Sequence, residues 1–189
     1  AKDYAFRSKT GIYNCPITDT SQKFLDSFTE IKRKFLLKKC TFDGSLRWEK
    51  STAEGPSELQ SAGIVSIASD LYLFGGKKED GKASNELWWF HDKKWELIQV
   101  KNPPQPRYDF SMSVFGAYIV VFGGRNEKDE IFGDLLLFDI PTATWMTIES
   151  YSEDCKPSPR FGHAAAFLGT QLWIYGGKIN KDYFDDFYC

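Results

Sequence analysis

The chain has 189 residues, enough for one sizeable core or a stack of small units, and its net charge of −2 leaves no broad basic face for nucleic acid or anionic lipid. Aromatic residues make up 16% of it, with nine Tyr, sixteen Phe and six Trp, as suits β-rich packing in which wide planar side chains fill the space between sheets. No apolar run approaches the ~20 residues of a membrane helix, there is no Asn-x-Ser/Thr acceptor, and Cys15, Cys40, Cys155 and Cys189 lack the paired spacing of a zinc site, so a reduced, cytoplasmic protein is expected.

Residues 1–36 form an N-terminal extension outside any repeat. "AKDYAFRSKT" carries no apolar signal-peptide core, and "AKDYAFRSKTGIYNCPITDT" is turn-rich. Residues 21–37, "SQKFLDSFTEIKRKFLL", place Phe24, Phe28, Ile31 and Phe35 on one stripe, with Lys32, Arg33 and Lys34 largely elsewhere. The spacing predicts an amphipathic helix capped by Thr20 or Ser21 and docked on the rest of the chain, a partner- or membrane-binding helix being the alternative.

From residue 37 onward the chain repeats. The diglycines Gly75-Gly76, Gly123-Gly124 and Gly176-Gly177 lie 48 and 53 residues apart, and Trp48, Trp95 and Trp145 lie 47 and 50 apart. Arg107 and Arg160 each precede a diglycine by 16 residues. Three markers sharing one period indicate a repeat architecture. Residues 37–50 are expected to supply the outer strands of one unit, 61–100 and 108–150 two whole units, and 160–189 a partial one.

One unit, 107–149, contains four β-like runs separated by turn-formers: Asp109–Phe115, the almost continuously apolar Tyr118–Phe122, Asp134–Asp139 and Trp145–Ile148. Four antiparallel strands in about 50 residues is one propeller blade. The diglycine then ends a strand buried on both faces, where sheets cross closely and positive φ is needed. A phosphate loop would require GxxxxGK[ST], which none of the three supplies.

The diglycine after an apolar strand, a Trp about twenty residues later and "PR" before the next first strand resemble kelch repeats. "PSPRFGHAAAFLGTQLWIYGG" (157–177) matches best, and the resemblance covers Leu37 to Cys189. It implies an all-β fold of kelch-type β-propeller blades, each a four-stranded antiparallel sheet. Leu59 stands where Arg107 and Arg160 stand in the other repeats, and Ala62 and Phe110 where His163 stands. About three blades is fewer than the four to eight that close a ring. The remaining blades are expected from the rest of a longer chain or from a second copy exchanging outer strands.

Catalytic signals are sparse. His91 and His163 are the two histidines, neither with ligands at metal spacing, and no GxSxG or HExxH motif occurs. The copper oxidases built on related propellers need a Tyr, His and Cys cluster that two histidines do not supply. No enzyme activity, cofactor or metal is expected.

In the resemblance, the turns before each first strand and the loops after each diglycine share the face around the ring's mouth. Arg107, Asp109, Arg125, Asn126, Arg160, Phe161 and Asn180 are the candidate partner-binding residues there, with the arginines suited to an acidic peptide motif. Pairing of those arginines with neighbouring carboxylates is the competing reading. The structural set is Gly75, Gly76, Gly123, Gly124, Gly176 and Gly177 with Trp48, Trp95 and Trp145. The function implied is a non-catalytic protein–protein interaction or scaffold module. Open alternatives are the substrate receptor of a ubiquitin ligase, the targeting domain of a linked enzyme such as a kelch-bearing phosphatase, and an architectural subunit of a large assembly.

Overall fold

The computed structural model describes residues 5–8, 11–14, 49–149 and 156–189. The helix expected at 21–37, the outer strands expected before residue 49 and Trp48 lie outside the described residues. Strands β1 (Ala5–Ser8) and β2 (Gly11–Asn14) pair antiparallel, Ala5 opposite Asn14.

All regular structure among the described residues is β, as the sequence leads one to expect. After the short β3 (Leu59–Gln60), the first blade is built from β4 (Gly63–Ile67) and β5 (Asp70–Phe74), with β6 (Lys77–Lys78) returning to pair with β3, then β7 (Leu87–His91) and β8 (Lys94–Leu97). The order β4-β5-β7-β8 is a plain antiparallel meander. Asp92 and Lys93, both at positive φ (46° and 63°), close the two-residue turn from β7 to β8, whose twist suits the flanking strands.

The second blade repeats the meander with β9 (Ser111–Phe115), β10 (Tyr118–Phe122), β11 (Leu135–Asp139) and β12 (Thr144–Ile148). The third has β13 (Ala164–Leu168), β14 (Gln171–Tyr175), the hairpin β15 (Lys178–Ile179) and β16 (Asp182–Tyr183), and β17 (Phe187–Tyr188). The three sheets stand side by side and do not close into a ring, with β9 lying between β4 and β13.

The core lies between sheets. Tyr72 and Phe74 of β5 join Ile119 and Val121 of β10, with Leu87, Leu136, Phe138 and Trp145, in one buried cluster. Trp145 meets Phe74 at 4.8 Å and Phe138 at 5.1 Å between ring centres. Strand alternation turns Val120 and Phe122 to the opposite face of β10, where Phe122 meets His163 of the third blade edge-on at 5.2 Å. Burial on both faces explains why "YIVVF" is apolar throughout instead of alternating. Trp95, on the first blade, packs on Phe90 at 5.0 Å and is half-buried beneath Gly55.

Candidate functional site

Each of the first two diglycines forms a joint between blades. Gly76 and Gly124 donate their backbone N–H groups to the carbonyls of Arg107 and Arg160 in the next blade, both at 2.9 Å. At Gly123 φ is +66°, and an added Cβ would lie 2.5 Å from the Arg160 carbonyl oxygen, so a side chain has neither the conformation nor the room.

The arginine at this joint also reaches back into its own blade. Arg107 Nη1 and Nη2 donate to Asp134 Oδ1 (2.7 Å) and Oδ2 (2.9 Å), Nη1 also to the Gly123 carbonyl (3.1 Å), and Nε to the Gln105 carbonyl (3.2 Å). The guanidinium lies 4.2 Å from the centre of the Phe132 ring. Arg160 repeats the set with Asp186 (2.5 and 2.9 Å), the Gly176 carbonyl (3.0 Å), the Ser158 carbonyl (3.0 Å) and the Phe184 ring (4.2 Å).

Arg107 is 1% and Arg160 0% exposed. This corrects the expectation that they contact a partner: their donors are spent on carboxylates and carbonyls of the same blade, and the ring covers what remains. The first blade shows what happens without the arginine. Where Leu59 replaces it, Glu86 stands where Asp134 and Asp186 stand, and it accepts from Lys78 Nζ (2.8 Å) and Trp88 Nε1 (3.1 Å). The Lys78 hydrogen bond holds the Glu86 carboxyl below its usual pKa against the opposing effect of burial.

The mouth loops are fixed by short backbone bridges: Gln60 with Lys77, Tyr108 with Arg125, and Phe161 with Lys178. The residue after every diglycine is thus basic and sits beside the chain entering a blade. Cations and rings alternate across the three blades, each ring centre within cation–π range of its neighbours. Lys77 Nζ is 5.5 Å from Tyr108, the Arg125 guanidinium 5.1 Å from Tyr108 and 4.2 Å from Phe161, and Lys178 Nζ 5.2 Å from Phe161 and 5.5 Å from Tyr183.

Along this row Arg125 is paired with Asp109 (2.9 Å) and approaches Asp129 (3.7 Å). Among the described residues no carboxylate pairs with Lys77 or Lys178.

The other candidates divide by burial. Asn126 is buried and organises its own loop: Oδ1 accepts from the Lys128 and Glu130 N–H groups, and Nδ2 donates to Glu130. Its backbone carbonyl accepts from the Tyr108 hydroxyl. It too is withdrawn as a partner contact. Phe161 is buried beneath Arg125 and Lys178 as part of the ladder, and Asp109 is half-buried as the counter-ion of Arg125. Asn180 is exposed at the turn between β15 and β16, with φ +52°. The structure adds Lys77, Lys178 and Tyr183, which the sequence motifs do not single out, although a basic residue after each diglycine, at the repeat period, marks two of them.

Between the second and third blades this face opens into a cleft of about 520 Å³, whose walls include Asp109, Arg125, Phe161, Lys178, Tyr183 and Phe184. Elsewhere His163 Nε2 lies 2.8 Å from Ser111 Oγ, and burial, with the nearby Arg160 charge, lowers its pKa to about 4. His91 stacks on Trp89 at 3.6 Å. Among the described residues no three His, Cys, Asp or Glu side chains gather to hold a metal ion, and no helix is long and apolar enough to cross a membrane.

Residues 42–189 match the family model described as the KLHDC2/KLHL20/DRC7 Kelch-repeats domain. The Rab9 effector protein with kelch motifs of Rattus norvegicus is 32% identical over 151 residues, covering 76% of this chain and 40% of the relative. Acyl-CoA-binding domain-containing protein 4 of Arabidopsis thaliana is 34% identical over 127 residues, 65% of this chain and 19% of its own length. A probable serine/threonine-protein kinase of Dictyostelium discoideum is 30% identical over 131 residues, 66% of this chain and 10% of its own length. The chain thus spans well under half of each of these relatives.

Proposed function

The chain belongs to the kelch-repeat family, and from that premise we propose that it is a protein-recognition module acting in the cytoplasm, whose mouth face holds an acidic segment of a partner protein. The alternating row from Lys77 to Tyr183 carries this reading. It fixes cations on a rigid frame, and it leaves the ammonium groups of Lys77 and Lys178 without carboxylates among the described residues. Side chains already ordered on rings lose little entropy on binding, and a carboxylate approaching them gains charge-assisted hydrogen bonds. The relatives named as Rab9 effectors support a role exercised through a protein partner.

A second reading is favoured by the repeats' occurrence within a probable kinase and an acyl-CoA-binding protein: the module targets an enzymatic or carrier domain elsewhere in its own chain.

The test is fluorescence anisotropy with labelled peptides matched in length and differing in charge. Acidic peptides should bind, weaken as salt rises, and lose about tenfold or more in affinity when Lys77 and Lys178 are both changed to Glu. Equal binding of neutral or basic peptides, or indifference to the double change, would overturn the reading.

A further inference from the structure

The outer strands of the first two blades differ at one cross-strand pair. Counted from the equivalent pairs Phe90–Trp95 and Phe138–Trp145, Trp88 stands opposite Leu97 in the first blade where Leu136 stands opposite Thr147 in the second. The neighbouring acids differ in their partners as well. Glu86 Oε1 accepts from Lys78 Nζ, and its Oε2 accepts from Trp88 Nε1 at 3.1 Å, which lays the indole beside the carboxylate. Asp134 has Arg107 as its cation, but among the described residues its carboxylate has no counterpart of the indole N–H. Its side chain remains 32% exposed.

A cleft of about 560 Å³ opens beside Asp134, where a second indole would lie. Buried Leu136 and Trp145 form its floor, exposed Thr147 one wall, and Pro103 and Pro104 the other. The second blade carries it, with a blade on either side. The proline wall is fixed in place. Lys101 donates its N–H to the Ala143 carbonyl (2.8 Å) and accepts from the Trp145 N–H (3.0 Å), so the segment starts as a parallel partner of β12. Pro103 has no N–H to continue that ladder, and the segment leaves the strand there. Asn85 Nδ2 then holds the Pro104 carbonyl at 3.0 Å.

We propose that this cleft is a docking site for a tryptophan side chain of a partner protein. The ring enters between the two prolines and β12, and its Nε1–H donates to Asp134 as Trp88 donates to Glu86. The inference goes beyond the mouth reading and does not depend on it.

The chemistry of the walls selects this occupant. The charges of Arg107 and Asp134 already cancel, so a ligand carboxylate would face Asp134 and a ligand cation would face Arg107, whereas a neutral N–H donor meets the free lone pairs of the carboxylate. Proline and leucine side chains offer apolar surface to a flat ring, and a wall held at both ends loses little freedom when the ring is covered. Tryptophan is also among the side chains on which interface energy concentrates.

The experiment records amide NMR spectra of the whole chain during titration with N-acetyl-tryptophanamide. Saturable shifts are expected at Asn102, Met146 and Thr147, with a dissociation constant of about a millimolar for so small a ligand. The indole-N-methylated analogue should bind about tenfold more weakly, having lost a hydrogen bond to a charged group. N-acetyl-leucinamide should give no saturable shift. The blocked peptide Ala-Ala-Trp-Ala-Ala should bind at least as well as the capped amino acid. Leu136→Trp, which copies the first blade, should fill the cleft and abolish the shifts. Because Leu136 is buried, Thr147→Phe serves as a second variant at an exposed position; it should abolish binding and melt with the parent chain.

Shifts that are absent or lie outside the cleft overturn the inference, as does equal binding of the methylated analogue or binding that survives in the folded Thr147→Phe chain. Exclusion of the peptide while the capped amino acid binds overturns the assignment to a partner protein.

Discussion

Arg107 and Asp134, 27 positions apart, meet through two parallel hydrogen bonds of 2.7 and 2.9 Å, with the arginine 1% exposed and the carboxylate on the edge of solvent. The two sides of this pair are unequal. Asp134→Ala strands a buried guanidinium and should cost about 3–5 kcal/mol. Arg107→Leu, the residue the first blade carries at Leu59, leaves a carboxylate that water can reach and should cost less. Urea denaturation of the two variants gives the ranking; a loss below about 1 kcal/mol for Asp134→Ala would contradict the clamp.

Trp145→Ala should cost about 3–5 kcal/mol, because it empties the cluster shared by Phe74 and Phe138. Trp95→Ala, at the same strand position but only half-buried, should cost clearly less. Thermal melts that reversed this order would mean the core does not lie between the first and second blades.

Two glycines with almost the same backbone angle separate strain from contact. Gly116 has φ +60° with nothing within 4 Å of an added Cβ, so Gly116→Ala should cost only the left-handed penalty of about 1–2 kcal/mol. Gly123→Ala adds an overlap with the Arg160 carbonyl at 2.5 Å and should cost more, opening the joint between the second and third blades. Equal midpoints for the two variants in denaturant would show that the joint is not tight.

His163 gives the protein an acid-sensitive element. Its pKa in the fold, about 4, lies below the ordinary value of 6.5, so between those values the unfolded chain binds the proton and the folded chain does not. Stability is therefore complete above pH 6.5 and falls as pH drops towards 4, by up to about 3 kcal/mol. His163→Phe, which copies Phe110 of the second blade, should flatten this part of the profile. The check is the denaturation midpoint at pH 7 and pH 4.5 for both proteins; identical slopes would exclude the histidine as the cause.

The strands and joints are legible in the sequence because their determinants are local. An apolar run ending in two glycines specifies a strand buried on both faces and a backbone crossing, and Gly123-Gly124 does both. The fate of the arginines is hidden for the opposite reason. Arg107 and Arg160 follow proline-rich turns, where an arginine ordinarily points to water, and their burial depends on Asp134 and Asp186, 27 and 26 residues further on. An acid at that near-constant distance is the available signal, and Glu86 keeps it even where Leu59 has replaced the arginine. Lys77 and Lys178 are hidden among mixed charges in their loops. What sets them apart is the ring beneath each, which arrives from another part of the repeat.

The first two diglycines and the aromatic residue before each reach toward the following blade, while the chain entering that blade donates back, Arg107 N–H to the Ser84 carbonyl and Arg160 N–H to the Phe132 carbonyl. The aromatic residue before each of the first two diglycines meets the following blade, Phe74 on Phe110 and Phe122 on His163, and the second glycine donates forward to the next arginine. Each blade consequently has two unlike sides, and the stack has a head and a tail. Two such stacks cannot join through a pair of like faces; any sheet continuing the array must engage heterologously, offering a head where the chain presents a tail.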